Sequence, residues 1–122
     1  MCIIVSKFVI KERESVMEVL SAKYDFLNET LKITLAGEID HHTAREIRED
    51  IDRQIYLCRA KNVMLDLQKV GFMDSSGLGL VLGRYAHVKE AGGVLKVLNP
   101  SSGAERVLRM AGAEKIIPIV KE

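Results

Sequence analysis

The side chains best placed for chemistry lie in one stretch, Gly71-Phe72-Met73-Asp74-Ser75-Ser76-Gly77-Leu78-Gly79-Leu80. It offers a carboxylate, two adjacent hydroxyls and a run of small residues. A serine becomes a nucleophile when a base takes its proton, and His41, His42 and His87 are the available imidazoles. A hydrolase elbow, however, needs Gly-x-Ser-x-Gly, and Asp74-Ser75-Ser76-Gly77 lacks the first glycine in register. No spacing ties a histidine to the serines, so catalysis is not the reading. Asp40-His41-His42 is too compact and isolated for a metal centre. Gly77-Leu78-Gly79-Leu80-Val81-Leu82-Gly83 has its last glycine one residue late for a dinucleotide fingerprint, and no Gly-x-x-x-x-Gly-Lys loop exists. At most, weak nucleotide contact at a helix N-terminus stays open, and no cofactor is expected.

The elements that position this stretch follow from hydrophobic period. Val63-Met64-Leu65-Asp66-Leu67 is a near-continuous apolar run, as in a strand covered on both faces. Leu78, Val81, Leu82, Tyr85 and Val88 form an i, i+3, i+4 stripe, which predicts a helix to about Ala91, ended by Gly92-Gly93. Asp74, Ser75 and Ser76 are all suited to cap its N-terminus. The serines therefore fall at a helix start just past the C-terminal end of a strand, the usual functional edge of an α/β sheet. Ser76, Gly79, Gly83 and Ala86 or His87 share one face of that helix. Each interior glycine costs roughly 1 kcal/mol relative to alanine. Two compensations are open: close packing within the protein, or a docking surface beside a modifiable serine.

The remaining chain alternates strands and helices. Leu31, Ile33 and Leu35 have period two, and Tyr24-Asp25-Phe26-Leu27 is a hairpin partner across Asn28-Glu29-Thr30. Gly37 and Asp40 break the strand, and His41 and His42 read as loop. Thr43-Ala44-Arg45-Glu46 fits a capping box, with Ala44, Ile47, Ile51, Ile55 and Cys58 as the core stripe behind it. Arg45, Arg48, Glu49, Asp52 and Arg53 read as a solvated mixed-charge face. Val94–Leu98 is a strand, Asn99-Pro100 a turn, and Ser102-Gly103-Ala104-Glu105 a second capping box. Val107, Leu108 and Ala111 give the stripe of that helix, and Gly112 stops it. Ile116–Val120 is a last strand, placed at an edge by Pro118. The pattern predicts an α/β fold: a mixed, mostly parallel sheet of four to five strands with right-handed crossovers and three or more helices.

At 122 residues the chain suits one domain. A formal net charge of +1, without basic runs, leaves no electrostatic footprint for nucleic acid. Cys2 and Cys58, two lone thiols without metal spacing, point to a reducing cytoplasm. Residues 1–22 read as an extension to a domain at 23–122. Their apolar runs are interrupted by Lys7 and are too short to span a membrane, and no signal peptide is evident. The segment suits an extra edge strand. Alternatively, Lys11-Glu12-Arg13-Glu14 can be written in purine-rich codons ahead of Met17. Residues 1–16 are then a translated leader to a native start at Met17.

Met73-Asp74-Ser75-Ser76-Gly77-Leu78-Gly79, continued by Val81-Leu82-Gly83-Arg84-Tyr85, resembles the signature of STAS domains. More narrowly, it resembles bacterial anti-sigma factor antagonists of the stage II sporulation type. Gly37-Glu38-Ile39-Asp40-His41-His42-Thr43-Ala44 resembles the same subgroup, and the likeness runs from about Lys23 to Val120. The resemblance implies the STAS fold and a non-enzymatic role. It implies Ser76 as phosphoacceptor, with Ser75 the second choice. It implies an anti-sigma factor serine kinase as partner, bound by the unphosphorylated chain so that the sigma factor is freed. A phosphoserine phosphatase would reset the switch. Asp40, Asp74, Ser75, Gly77, Gly79 and Gly83 are the expected docking residues. Asp74 is first choice and Asp40 second for orienting the kinase, with turn formation the alternative role of Asp40. The sporulation sigma F system is expected. A general-stress antagonist, or a STAS scaffold without a kinase switch, are the alternatives. Residues 1–22 have no counterpart in the family, and the further C-terminal helix common among the sporulation antagonists has no counterpart before Glu122.

Overall fold

Each strand pairs with its neighbours in the chain. The computed structural model describes the backbone of residues 3–13 and 16–122, and side chains from Leu20 onward. Strands β1 (Ile3–Arg13), β2 (Val16–Leu27), β3 (Thr30–Ile39), β4 (Asn62–Met73), β5 (Val94–Leu98) and β6 (Ile119–Val120) form a six-stranded sheet in that spatial order. The first two pairings are antiparallel and the remaining three parallel. Three helices, α1 (His41–Cys58), α2 (Ser75–Glu90) and α3 (Ser102–Met110), make the crossovers. This is the expected α/β architecture with one strand more than the four to five expected, the addition being β1 at the edge. β2 runs unbroken across the expected domain start at residue 23. The leader expectation concerns residues 1–16, whose side chains lie outside those described.

Period and turn chemistry account for the layers. Asn28 and Glu29 have φ of 52° and 63°, the left-handed pair of a type I′ hairpin, and they close β2 onto β3. Leu31, Ile33 and Leu35 then point to one face with Leu20, Ala22 and Tyr24, and all are buried. Val63, Leu65, Leu95 and Val97 continue that face across β4 and β5. The helices cover it side by side, α1 touching α2 and α2 touching α3. Ala44, Ile47, Ile51 and Ile55 of α1 are buried as expected. Cys58 is half-buried, and burial pushes its thiol above the ordinary value. Tyr24 lies fully under α1; burial first, and the Asp50 carboxylate second, push its phenol far above the ordinary range. No described helix is long and apolar enough to cross a membrane.

Several boundaries move from their expected places. β4 continues past Leu67 to Met73, because it takes two extra residues against β3, one between Thr34 and Ala36 and one between Gly37 and Glu38. Such bulges bend a strand and re-aim its end. Gly37 sits at the second with φ 120°, so it marks a bulge and not the strand's end. α3 is capped by Ser101, whose Oγ accepts from the Ala104 amide at 3.2 Å, one residue before the expected box. Glu105 turns away to Lys121 and Arg109, and those hydrogen bonds hold its carboxyl below the ordinary value. Ala111 is exposed, and Ala104 and Leu108 carry the buried stripe. Gly112, with φ 74°, ends the helix as expected, but a 3₁₀ turn at Ala113–Lys115 follows and leaves β6 only two residues long. β6 is the far edge, as Pro118 suggested.

Candidate functional site

β3 and β4 end side by side, and each delivers its chain into a helix through an aspartate. Asp40 caps α1: its Oδ1 accepts from the amides of His42 at 2.9 Å and Thr43 at 3.0 Å. Thr43 Oγ1 in turn accepts from the Asp40 amide at 2.9 Å and donates to the Glu38 carbonyl at 2.9 Å. The capping box is therefore Asp40 with Thr43, three residues before the expected Thr43 with Glu46. His41 and His42 consequently lie in the first helical turn instead of a loop, with their rings edge to face at 5.2 Å.

Asp74 does the same for α2. Its Oδ1 accepts from the Ser76 amide at 2.8 Å and the Gly77 amide at 3.3 Å, and its own amide donates to the Ile39 carbonyl at 3.3 Å. Of the three candidate caps, Asp74 wins because a carboxylate also complements the positive end of the helix dipole. Ser75 and Ser76 become the first two helical residues, the former exposed and the latter half-buried. Among the described residues the Ser76 hydroxyl has no hydrogen-bond partner. The expected stripe of α2 is incomplete: Leu80 is buried with Val81 and Val88, while Leu78, Leu82 and Tyr85 are partly buried at the margin.

The glycines of the stretch divide into two kinds. Gly77 is buried, and a Cβ there would meet Met73 Cγ, Met73 Sδ at 3.0 Å and Ile39 Cγ2 at 3.1 Å. It lets α2 start tight against the ends of β3 and β4, and its packing faces inward instead of toward a partner. Gly77→Ala should lower stability by about 2 kcal/mol through overpacking, read by urea denaturation. Among the described residues, a Cβ at Gly79 or Gly83 would meet nothing within 4 Å. Close packing within the chain therefore does not explain these two.

Gly79 and Gly83 instead floor a groove of about 540 Å³ between α1 and α2, with Ser76 at one end. Its other wall carries His41, Ala44, Arg45 and Arg48, and Arg84 closes the far end. Arg84 Nε pairs with Asp52 of α1 at 2.8 Å and ties the helices together. Burial lowers the Arg84 pKa, Asp52 opposes that shift, and the nearby Arg48 adds to it. His87 lies elsewhere, in a depression of about 740 Å³ at the opposite ends of α1 and α2, so the expected small-residue face stops at Gly83. No group of three or more potential metal ligands occurs among the described residues. The structure thus gathers Ser76, Gly79 and Gly83 in one groove, while Asp40 and Asp74 as helix caps, and Ser75 as the first residue of α2, are not in its lining. Arg45 and Arg48 are exposed, as the solvated-face reading of α1 expects, and they also line this groove. Their spacing was the available signal, since 41, 44, 45 and 48 step along one helix as 76, 79, 80 and 83 step along the other.

A model of the STAS-domain family matches residues 21–122. The anti-sigma F factor antagonist of Paenibacillus polymyxa is 40% identical over 89 residues, which cover 73% of this chain and 76% of that protein. The anti-sigma-B factor antagonist of Bacillus subtilis (strain 168) is 34% identical over 90 residues, covering 73% and 80%. The solved structure of the anti-sigma factor antagonist SpoIIAA in its unphosphorylated form superposes with a TM-score of 0.70 at 28% identity, over 95% of this chain and 88% of that one. The phosphorylated form, described as a Bacillus cell fate determinant, superposes with 0.65 at the same identity, over 95% and 91%. The chain belongs to the STAS-domain family, among the anti-sigma factor antagonists.

Proposed function

We propose that this antagonist acts in the sporulation sigma F system and that Ser76 is its switch. The unphosphorylated chain binds an anti-sigma factor that is a serine kinase, and the sigma factor is released. The kinase then transfers the γ-phosphoryl group of ATP to Ser76. The Ser76 Oγ–P bond forms, the bond to ADP breaks, and the hydroxyl proton passes to a base of the kinase. A phosphoserine phosphatase hydrolyses the ester and restores the binding form. On this reading the chain is a substrate and a binding module in the cytosol, not a catalyst. The observation that carries it is the placement of Ser76. Its hydroxyl is unpartnered among the described residues and lies at a helix N-terminus, where the fold tolerates added negative charge. It adjoins a face that Gly79 and Gly83 keep clear for another backbone. Higher identity to the sigma F antagonist than to the sigma-B antagonist favours sporulation over general stress.

The test mixes the purified chain with the anti-sigma F kinase and ATP and maps phosphate by mass spectrometry, with Ser76→Ala as control. Phosphate on Ser76, absent from the control and accompanied by release of the kinase, is expected. Tight binding without phosphate transfer would replace the switch with a scaffold.

A further inference from the structure

The groove beside Ser76 carries more positive charge than the fold uses. Arg84 is committed to Asp52. Arg45 and Arg48 are exposed and enter no ion pair among the described residues. The nearby carboxylates are occupied or turned aside. Asp74 Oδ1 holds the Ser76 and Gly77 amides, and Asp40 Oδ1 holds those of His42 and Thr43. Glu46 and Glu49 share a second depression with Arg45, but neither lines the groove that holds Ser76.

Helix geometry places these arginines relative to the serine. α1 and α2 both return the chain between parallel strands and so run side by side in the same direction. The Asp52–Arg84 pair sets their levels. Two turns back, about 12 Å along each axis, is Ala44 on α1 and Ser76 on α2. Arg45 is therefore level with Ser76 across the groove, and Arg48 lies one turn further in. Both line the same groove as Ser76.

We propose that a phosphate on Ser76 is received within the chain by Arg45 and Arg48, which act as a built-in phosphate clamp. The inference rests on Ser76 being the modified residue. Guanidinium groups match phosphate oxygens in paired, charge-assisted hydrogen bonds, and a phosphate facing an arginine pair acquires such bonds readily. The phosphate then bridges α1 and α2 at their N-terminal ends as Asp52–Arg84 does further along. It fills the groove from within, so a partner meets an occupied surface as well as a new charge. Arg45 and Arg48 are positioning residues for the modified state and are not needed to fold the unmodified one.

The test places phosphoserine at position 76 of the full chain during translation, so no kinase is required, and follows the phosphate by ³¹P NMR against pH. Free phosphoserine has its second ionisation near about 6. The clamp favours the dianion, so the midpoint should lie roughly one pH unit lower, and Arg45→Gln with Arg48→Gln should return it toward 6. Asp74, Asp40 and the α2 dipole act equally in both proteins and cancel. His41 lines the same groove in both proteins, so its contribution cancels as well. The arginines alone are removed because a guanidinium stays protonated throughout. Arg106→Gln, on α3 away from the groove, should leave the midpoint in place, and circular dichroism confirms that each variant is folded. Equal midpoints in the parent and the double variant would overturn the clamp. So would a double variant that loses kinase binding while its phosphate titrates as the parent's does, since the arginines would then contact the partner. If the kinase leaves Ser76 unmodified, the switch fails whatever the NMR shows. If it phosphorylates Ser76 and the midpoints coincide, only the clamp fails.

Discussion

Phosphorylated on Ser76, the chain should bind its anti-sigma kinase at least a hundredfold more weakly than the unmodified chain, while Ser76→Ala binds as tightly. A hundredfold change is about 2.7 kcal/mol. Phosphorylation adds about −1.5 to −2 charges and three acceptor oxygens at the centre of the proposed interface. Desolvating such a group against a surface that fitted a hydroxyl costs several kcal/mol, so a hundredfold is the lower bound. Ser76→Asp introduces one charge and less bulk, and a tenfold loss is expected. Isothermal titration calorimetry of the four proteins measures the series. Thermal stability should not fall across it, because negative charge at the first turn of α2 offsets repulsion from Asp74, and the arginine clamp proposed above adds to the stability of the phosphorylated chain. Equal affinity of the modified and unmodified chains would refute the switch. Equal losses of affinity and of melting temperature would trace the effect to the fold.

The second large effect separates stability from binding. Gly79→Ala and Gly83→Ala should together stabilise the chain by about 2 kcal/mol, since each replaces a helix-interior glycine by the best helix former. Among the described residues no neighbour stands within 4 Å of either new Cβ. For a domain of this size that is a rise in melting temperature of roughly 8 °C. Kinase affinity should fall at least tenfold in the same protein, because two methyl groups now stand where another backbone approaches. Differential scanning calorimetry and the binding titration read the two quantities independently. A protein that gained stability and kept its affinity would show that the glycine face is not a docking surface.

The strand-to-helix stretch around Ser76 was legible because its signals are local. A capping aspartate, a 3.6-residue stripe and terminal glycines all act within a turn or two of chain. Boundaries failed where two local signals competed. Gly37 and Gly71 look like strand breaks, yet β3 and β4 continue through them by bulging. Asp40 and Thr43 both suit a cap, and the box that forms uses both, which Thr43 with Glu46 cannot do once Thr43 Oγ1 is engaged by the Asp40 amide and the Glu38 carbonyl. Arg45 and Arg48 are solvated as a helical wheel shows, but the wheel does not show what stands opposite them. Their neighbour across the groove, Ser76, comes from another helix and enters only through packing. Gly79 and Gly83 left packing and docking open for the same reason, and the open space above them decides against packing.

The matching of spatial and chain order in the sheet bears on how the protein is made. Because β1 to β6 lie in the order in which they are synthesised, each strand emerging from a ribosome finds its partner already present. No early strand waits, edge exposed, for one near the C-terminus, which limits the interval in which unpaired edges could join other chains. The β2–β3 hairpin, closed by a two-residue turn, costs little in loop entropy and so suits an early step of assembly. The groove that holds Ser76 is complete as soon as α2 docks beside α1. The surface proposed for docking is thus formed before β6 joins the sheet.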